Sequence, residues 1–127
     1  MTVQFFTLCD YAKNDGGSLT IVNTFDVVKA AKLPWRTYFG FALKVLLDSA
    51  DVDTKELSLN ICSQTEPGKS LFDTAVELPK EQRKGLLAMA GNVKGLLFEE
   101  VGDYAFKIYQ DGREIYSYLF KVEMENK

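Results

Sequence analysis

The chain contains no histidine. That removes the side chain most used for acid–base chemistry near neutral pH, and the commonest metal ligand. Ser-His-Asp and Cys-His arrangements cannot be assembled within it. Cysteine is scarce: Cys9 and Cys62 are the only two. A zinc centre would need these distant thiolates plus carboxylates, which is a poor start. Gly91, Gly95 and Gly102 match neither glycine-rich nucleotide-binding spacing. Long apolar runs are missing, since Phe39–Leu47 is interrupted by Lys44 and falls far short of a membrane span. No basic-then-apolar leader precedes a small-residue cleavage site, so a cytoplasmic location is expected. Positive charge is not in excess. The net charge is −3, with six basic against seven acidic residues over 1–64 and nine against eleven over 65–127. Nucleic-acid and membrane-surface binding therefore lack their electrostatic drive. Paired carboxylates are the remaining catalytic option, and no pair stands out. The expectation is a protein that is not an enzyme and uses no cofactor.

What is present is strand chemistry. Hydrophobic residues at 46% and aromatics at 13% exclude disorder over 127 residues. One domain spanning 1–127 is expected, because no linker, repeat or helical apolar stripe divides the chain. Period-2 patterning predicts strands over 3–12, 18–29, 36–48, 55–65, 70–78, 87–94, 101–110 and 113–123. Asn14-Asp15-Gly16-Gly17 predicts a hairpin turn, and Leu33-Pro34-Trp35 ends the second strand. Glu66-Pro67-Gly68-Lys69 suits a type II turn. Pro79–Lys84 reads as one helical turn, and Gly91 and Gly95 predict a bulge or irregular edge strand. About eight short strands make an antiparallel two-sheet β-sandwich, with an eight-stranded barrel as runner-up.

The closing hairpin is the most informative stretch. Tyr104, Phe106 and Ile108 alternate with Asp103, Ala105 and Lys107, while Tyr116, Tyr118, Phe120 and Val122 form one face of the return arm. A two-residue Asp111-Gly112 loop puts these aromatic sets on opposite faces. A three-residue loop, Gln110-Asp111-Gly112, pairs Phe106 with Tyr116 and unites them, with Gly112 in the left-handed region. The three-residue loop is therefore expected.

Glu100-x-Gly102-x-Tyr104-x-Phe106 resembles the tyrosine corner of immunoglobulin-like sandwiches, in which a tyrosine hydroxyl returns to backbone a few residues upstream. Phe106 stands where antibody domains carry a cysteine, so the disulfide part of the pattern is missing. Phe5–Ala12 and Leu19–Asp26, with the closing hairpin, are similar to a family of small uncharacterised bacterial proteins. That resemblance implies an immunoglobulin-like fold and brings no catalytic or ligand residue with it.

Three groups remain as candidates for chemistry. Cys9 and Cys62 do not fit the immunoglobulin disulfide, and two buried free thiols are the favoured reading. Asp48, Asp51 and Asp53 lie in one polar loop where calcium is conceivable, yet the spacing fits no EF-hand and a hydrated loop is favoured. Trp35, Tyr38, Phe39 and Phe41 crowd one strand start. Phe39 and Phe41 are expected in the core, with Trp35 and Tyr109 as surface aromatics. The functional expectation is a non-enzymatic accessory or protein-interaction module, with its binding residues unknown. It would act through an edge strand or end loops, with 87–95 or the first strand as the edge and self-association open. The alternative is a small-ligand or carbohydrate-binding β domain. An apolar pocket of several hundred Å³ would favour that alternative, and a filled core the first reading.

Overall fold

The computed structural model describes residues 1–51, 53–66, 68–79 and 85–125. Among the described residues there are nine strands: β1 (Thr2–Asp15), β2 (Ser18–Phe25), β3 (Val27–Ala30), β4 (Trp35–Leu47), β5 (Glu56–Ser63), β6 (Ser70–Glu77), β7 (Gly85–Phe98), β8 (Gly102–Gln110) and β9 (Arg113–Met124). They form a four-stranded sheet, β2-β1-β4-β7, and a five-stranded sheet, β3-β9-β8-β5-β6. The architecture is an all-β two-sheet sandwich, and the closed barrel is set aside.

Nine strands stand where about eight were expected because the predicted 18–29 strand is two. β2 pairs antiparallel with β1, whereas β3 runs parallel to β9 in the other sheet. The chain changes sheet at Asp26, whose carbonyl accepts from Lys121 N–H at 3.0 Å. β1, one of the two expected edges, lies between β2 and β4 and is not an edge. β7, the other, is one.

Alternation builds the core. Phe6 and Leu8 of β1, Phe41, Leu43 and Val45 of β4, and Met89 and Phe98 of β7 meet Leu57, Leu59 and Ile61 of β5, Phe106 and Ile108 of β8, and Phe120 and Val122 of β9. Each such side chain contributes roughly 1.5–3 kcal/mol by leaving water. Phe6 spans the two layers, with its ring centre 4.8 Å from Phe106 and 5.1 Å from Tyr118. The aromatic rings of the two terminal arms thus lie together.

The hairpin achieves this differently from the expected three-residue loop. Gln110 pairs with Arg113, so the loop is the two residues Asp111 and Gly112, with φ of 50° and 79°. Positive φ at both central positions is the type I′ geometry that matches strand twist. The register then shifts between Ile108 and Tyr109, leaving Ile115 as an extra residue in β9. That bulge reverses the parity. Phe106 faces Tyr118, Tyr104 faces Phe120, and the shared aromatic face is preserved. The Tyr104 hydroxyl donates to the Glu100 carbonyl at 2.7 Å, as the corner motif implies.

The β1–β2 turn is the expected one, with Asp15 paired to Ser18 around Gly16 and Gly17. Lys69 N–H donates to the Glu66 carbonyl at 2.9 Å. Pro67, on which the type of that turn depends, lies outside the described residues, as does the 80–84 segment read as a helical turn. In β7 the register shift falls at Gly95, whose φ is 73°, while Gly91 keeps register opposite Phe41.

Candidate functional site

The site arises where β1 leaves β4. The two pair from Thr2–Leu46 to Cys9–Gly40, and there the ladder ends. A Cβ on Gly40 would sit 2.9 Å from Ala12 N, so only glycine lets β1 cross the outer side of β4 this closely. The β1–β2 ribbon then lies over the outer face of β4 and β7. Asn92 Nδ2 donates to the Ala12 carbonyl at 3.3 Å, and Asn14 Nδ2 to the Ala88 carbonyl at 3.0 Å. Cys9, Ala12 and Ala42 are buried beneath it against Leu19, Ile21 and Ala90.

This departure strips β4 of a neighbour. Trp35, Arg36, Thr37 and Phe39 pair with β7 on one side, and among the described residues no strand pairs with them on the other. β3 is itself a sheet edge. Between these two edges lies a solvent-open cleft of about 300 Å³. The β1–β2 ribbon contributes Asp10, Asn23 and Phe25, β3 contributes Val27 to Lys29, and β4 contributes Trp35, Thr37 and Tyr38.

Asn23 takes a φ of 55° within β2, a left-handed conformation that asparagine tolerates better than most residues. Its amide donates to Asp10 Oδ2 at 2.8 Å. Lys29 Nζ is 2.8 Å from Glu123 Oε2, and this hydrogen bond holds the Glu123 carboxyl below its ordinary range. The lysine charge is therefore engaged, and among the described residues Asp10 has no cationic partner. Tyr38 is 66% exposed, while Trp35 is half-buried and packs against the core beside Phe25. The arrangement offers aromatic surface, one uncompensated carboxylate and unpaired strand edge. It presents no nucleophile–base pair.

Of the aromatics singled out from the sequence, Phe39 and Phe41 are buried as expected. Trp35 and Tyr109 were expected at the surface and are half-buried, and Tyr38 is the exposed ring. Its exposure follows from the alternation of β4, in which Thr37, Phe39 and Phe41 turn toward the interior and Tyr38 turns outward.

Asp48, Asp51 and Asp53 are not brought together. Asp51 turns inward and is only 3% exposed. It accepts from Asp48 N–H at 2.8 Å and from Gln110 Nε2 at 2.7 Å, with the Met1 amino group 3.1 Å away. Burial alone would raise its pKa, but these hydrogen bonds and the ammonium outweigh burial and hold the carboxyl below its ordinary range. Asp48 accepts from Ala50 N–H at 2.8 Å and lies 3.8 Å from the same Met1 amino group, on the exposed side of it. Among the described residues no group of three or more cysteine or carboxylate side chains converges as a metal site.

Cys9 and Cys62 are free and buried. They lie on the far faces of opposite sheets, Cys9 under the ribbon and Cys62 opposite Ala105 on β8. Packed sheets stand about 10 Å apart, beyond the roughly 7 Å a disulfide can span. Burial also pushes the Cys9 thiol pKa up.

A larger recess, about 470 Å³, lies over Asp26, Gln64, Asp103, Leu119 and Lys121. It is open and mostly apolar, with Val27, the exposed Leu119 and the buried Phe120 in its lining, and it carries no exposed aromatic ring. Among the described residues no helix is long and apolar enough to cross a membrane.

A family model matches residues 4–123, that of DUF6941, a family of unknown function, and the chain belongs to this family. No curated protein matches the chain. Among solved structures it is similar to a superoxide reductase (neelaredoxin) from Ignicoccus hospitalis, at 9% identity and a TM-score of 0.40, over 94% of this chain and 82% of that one. A likeness of that degree carries no functional argument.

Proposed function

We propose that this member of DUF6941 is a non-catalytic, immunoglobulin-like module of the bacterial cytoplasm that binds another protein. The observation that carries the reading is the cleft between β3 and β4, where aromatic surface and unpaired strand edge coincide. The order β5-β8-β9, with Tyr104 at the corner, supports the immunoglobulin-like part because it follows the C-F-G order of those sheets. Aromatic side chains dominate binding hot spots, and exposed edges are the usual route by which sheets find partners.

Affinity capture on the full chain and on Tyr38→Ala tests this, with each captured protein then purified and its binding measured by calorimetry. A partner that binds the wild type and loses at least about tenfold in affinity with Tyr38→Ala is expected, a hot-spot-sized effect. Equal binding to both chains overturns the cleft's role.

A second reading is favoured by one specific feature. The Asp10–Asn23 pair places hydrogen-bonding groups beside Tyr38 and Trp35, an arrangement suited to a sugar hydroxyl and ring face. Oligosaccharide titration into the same two chains decides between them, because saturable binding lost in Tyr38→Ala supports the carbohydrate reading.

A further inference from the structure

We infer that the cleft is a strand-addition slot. It takes an extended segment of a partner protein, laid along the β4 edge that β1 gives up, with a basic side chain of that segment meeting Asp10. This rests on the protein-binding reading and specifies the partner's chemistry.

Three observations converge on it. First, the free edge runs from Trp35 to Phe39 and continues the line along which β1 already pairs antiparallel with β4. A segment of about five residues, roughly 17 Å long, fills that gap and extends a ladder already templated by β1. Among the described residues no strand pairs with the backbone N–H and C=O groups on this edge, and unpaired edge groups of this kind are the basis of recognition by β-augmentation. Second, alternate side chains of an added strand point to opposite faces. One set meets the half-buried side of the cleft at Phe25, Val28 and Trp35, and is apolar. The other set lies on the side of the exposed Tyr38 ring. Third, the cleft's charge is unbalanced. Lys29 is occupied by Glu123, and among the described residues the Asp10 carboxylate has the Asn23 amide beside it and no ion-pair partner. A lysine or arginine on the segment satisfies Asp10 and can lie over the Tyr38 face.

The test uses displayed random peptides of about ten residues, twice the length of the free edge. They are selected on the immobilised full chain. The best binder is made in plain form and with alternate backbone amides N-methylated, and both are titrated into isotope-labelled wild type, Tyr38→Ala and Asp10→Asn. Tyr38 and Asp10 are exposed, so neither change threatens the fold. Expected are a basic residue in the selected peptide, amide shifts confined to Trp35–Phe39 and β3, and a loss of about tenfold or more in affinity with each variant. One of the two methylation patterns, the one that blocks the amides facing β4, abolishes binding. A methylated peptide that binds as well in both patterns yet still depends on Tyr38 overturns strand addition and leaves the protein-binding reading standing. Peptides indifferent to Tyr38 overturn both. A chain that sediments as a dimer, and as a monomer after Tyr38→Ala, overturns the foreign partner in favour of a second copy.

Discussion

The ring of Phe41 occupies the space that a Cβ on Gly91 would need, with Cζ 2.6 Å and Cε1 2.8 Å from that position. The two residues are cross-strand partners on β4 and β7, and the ring continues inward to Phe106, 5.2 Å away between centres. Gly91 therefore widens the core for a ring supplied by its neighbour. Gly91→Ala forces Phe41 against a filled interior, and overpacking of this kind costs about 1–3 kcal/mol. Urea denaturation should show that loss, and Phe41→Leu in the same background should recover part of it. Wild-type stability in Gly91→Ala would mean that the ring has room to move.

Tyr104 ties β8 to the loop before it through its 2.7 Å bond to the Glu100 carbonyl, with its ring 5.0 Å from Phe98. Tyr104→Phe keeps the ring and removes the bond. The expected loss is about 0.5–1.5 kcal/mol, the net worth of one neutral hydrogen bond. A larger loss by denaturant titration would show that the hydroxyl organises more of the loop than its one partner.

Neither thiol should react in the native chain. Cys9 and Cys62 are both buried, and the thiolate is the reactive form. Maleimide labelling is expected to be negligible until denaturant is added and then to reach both sites. Intact mass should be the same with and without reductant. Rapid native labelling of Cys9 would mean that the β1–β2 ribbon lifts from β4.

The sandwich, the alternating core and both glycine turns were legible because each depends on residues close in sequence. Asn14–Gly17 and Asp111–Gly112 carry their own φ preferences, and Tyr104 carries its corner four residues from its acceptor. The hairpin loop length was not legible. A shared aromatic face fixes only the parity of the register, and parity is met equally by a third loop residue or by a bulge at Ile115. The sheet change at Asp26 was hidden because no glycine or proline separates Phe25 from Val27. The cleft was least visible. It exists because Gly40 lets Ala12 pass close by, a contact between distant residues, whereas the outward turn of Tyr38 follows from the same alternation that buries Phe39 and Phe41.

Asp51 should make the fold acid-sensitive in a defined direction. Burial disfavours its charge, yet the Asp48 N–H, the Gln110 amide and the Met1 ammonium outweigh burial, so the folded carboxyl titrates below its ordinary value of 3.8. Well above that value Asp51 is ionised in both states, and its whole contribution is present. As pH falls through 3.8 the unfolded chain takes up a proton that the folded chain refuses, so stability declines. The decline stops only below the depressed folded pKa. Asp73 acts with the same sign, because hydrogen bonds from Asn60 and Ser70 hold its carboxyl down. Asp51→Asn should therefore lose about 1.5–3 kcal/mol at neutral pH, since the amide replaces an acceptor oxygen with a donor facing donors. It should also flatten the acid limb of stability against pH while keeping the part due to Asp73. Denaturant midpoints from neutral pH down to about pH 3 measure both effects. An unchanged acid limb in Asp51→Asn would place the acid sensitivity on other carboxylates.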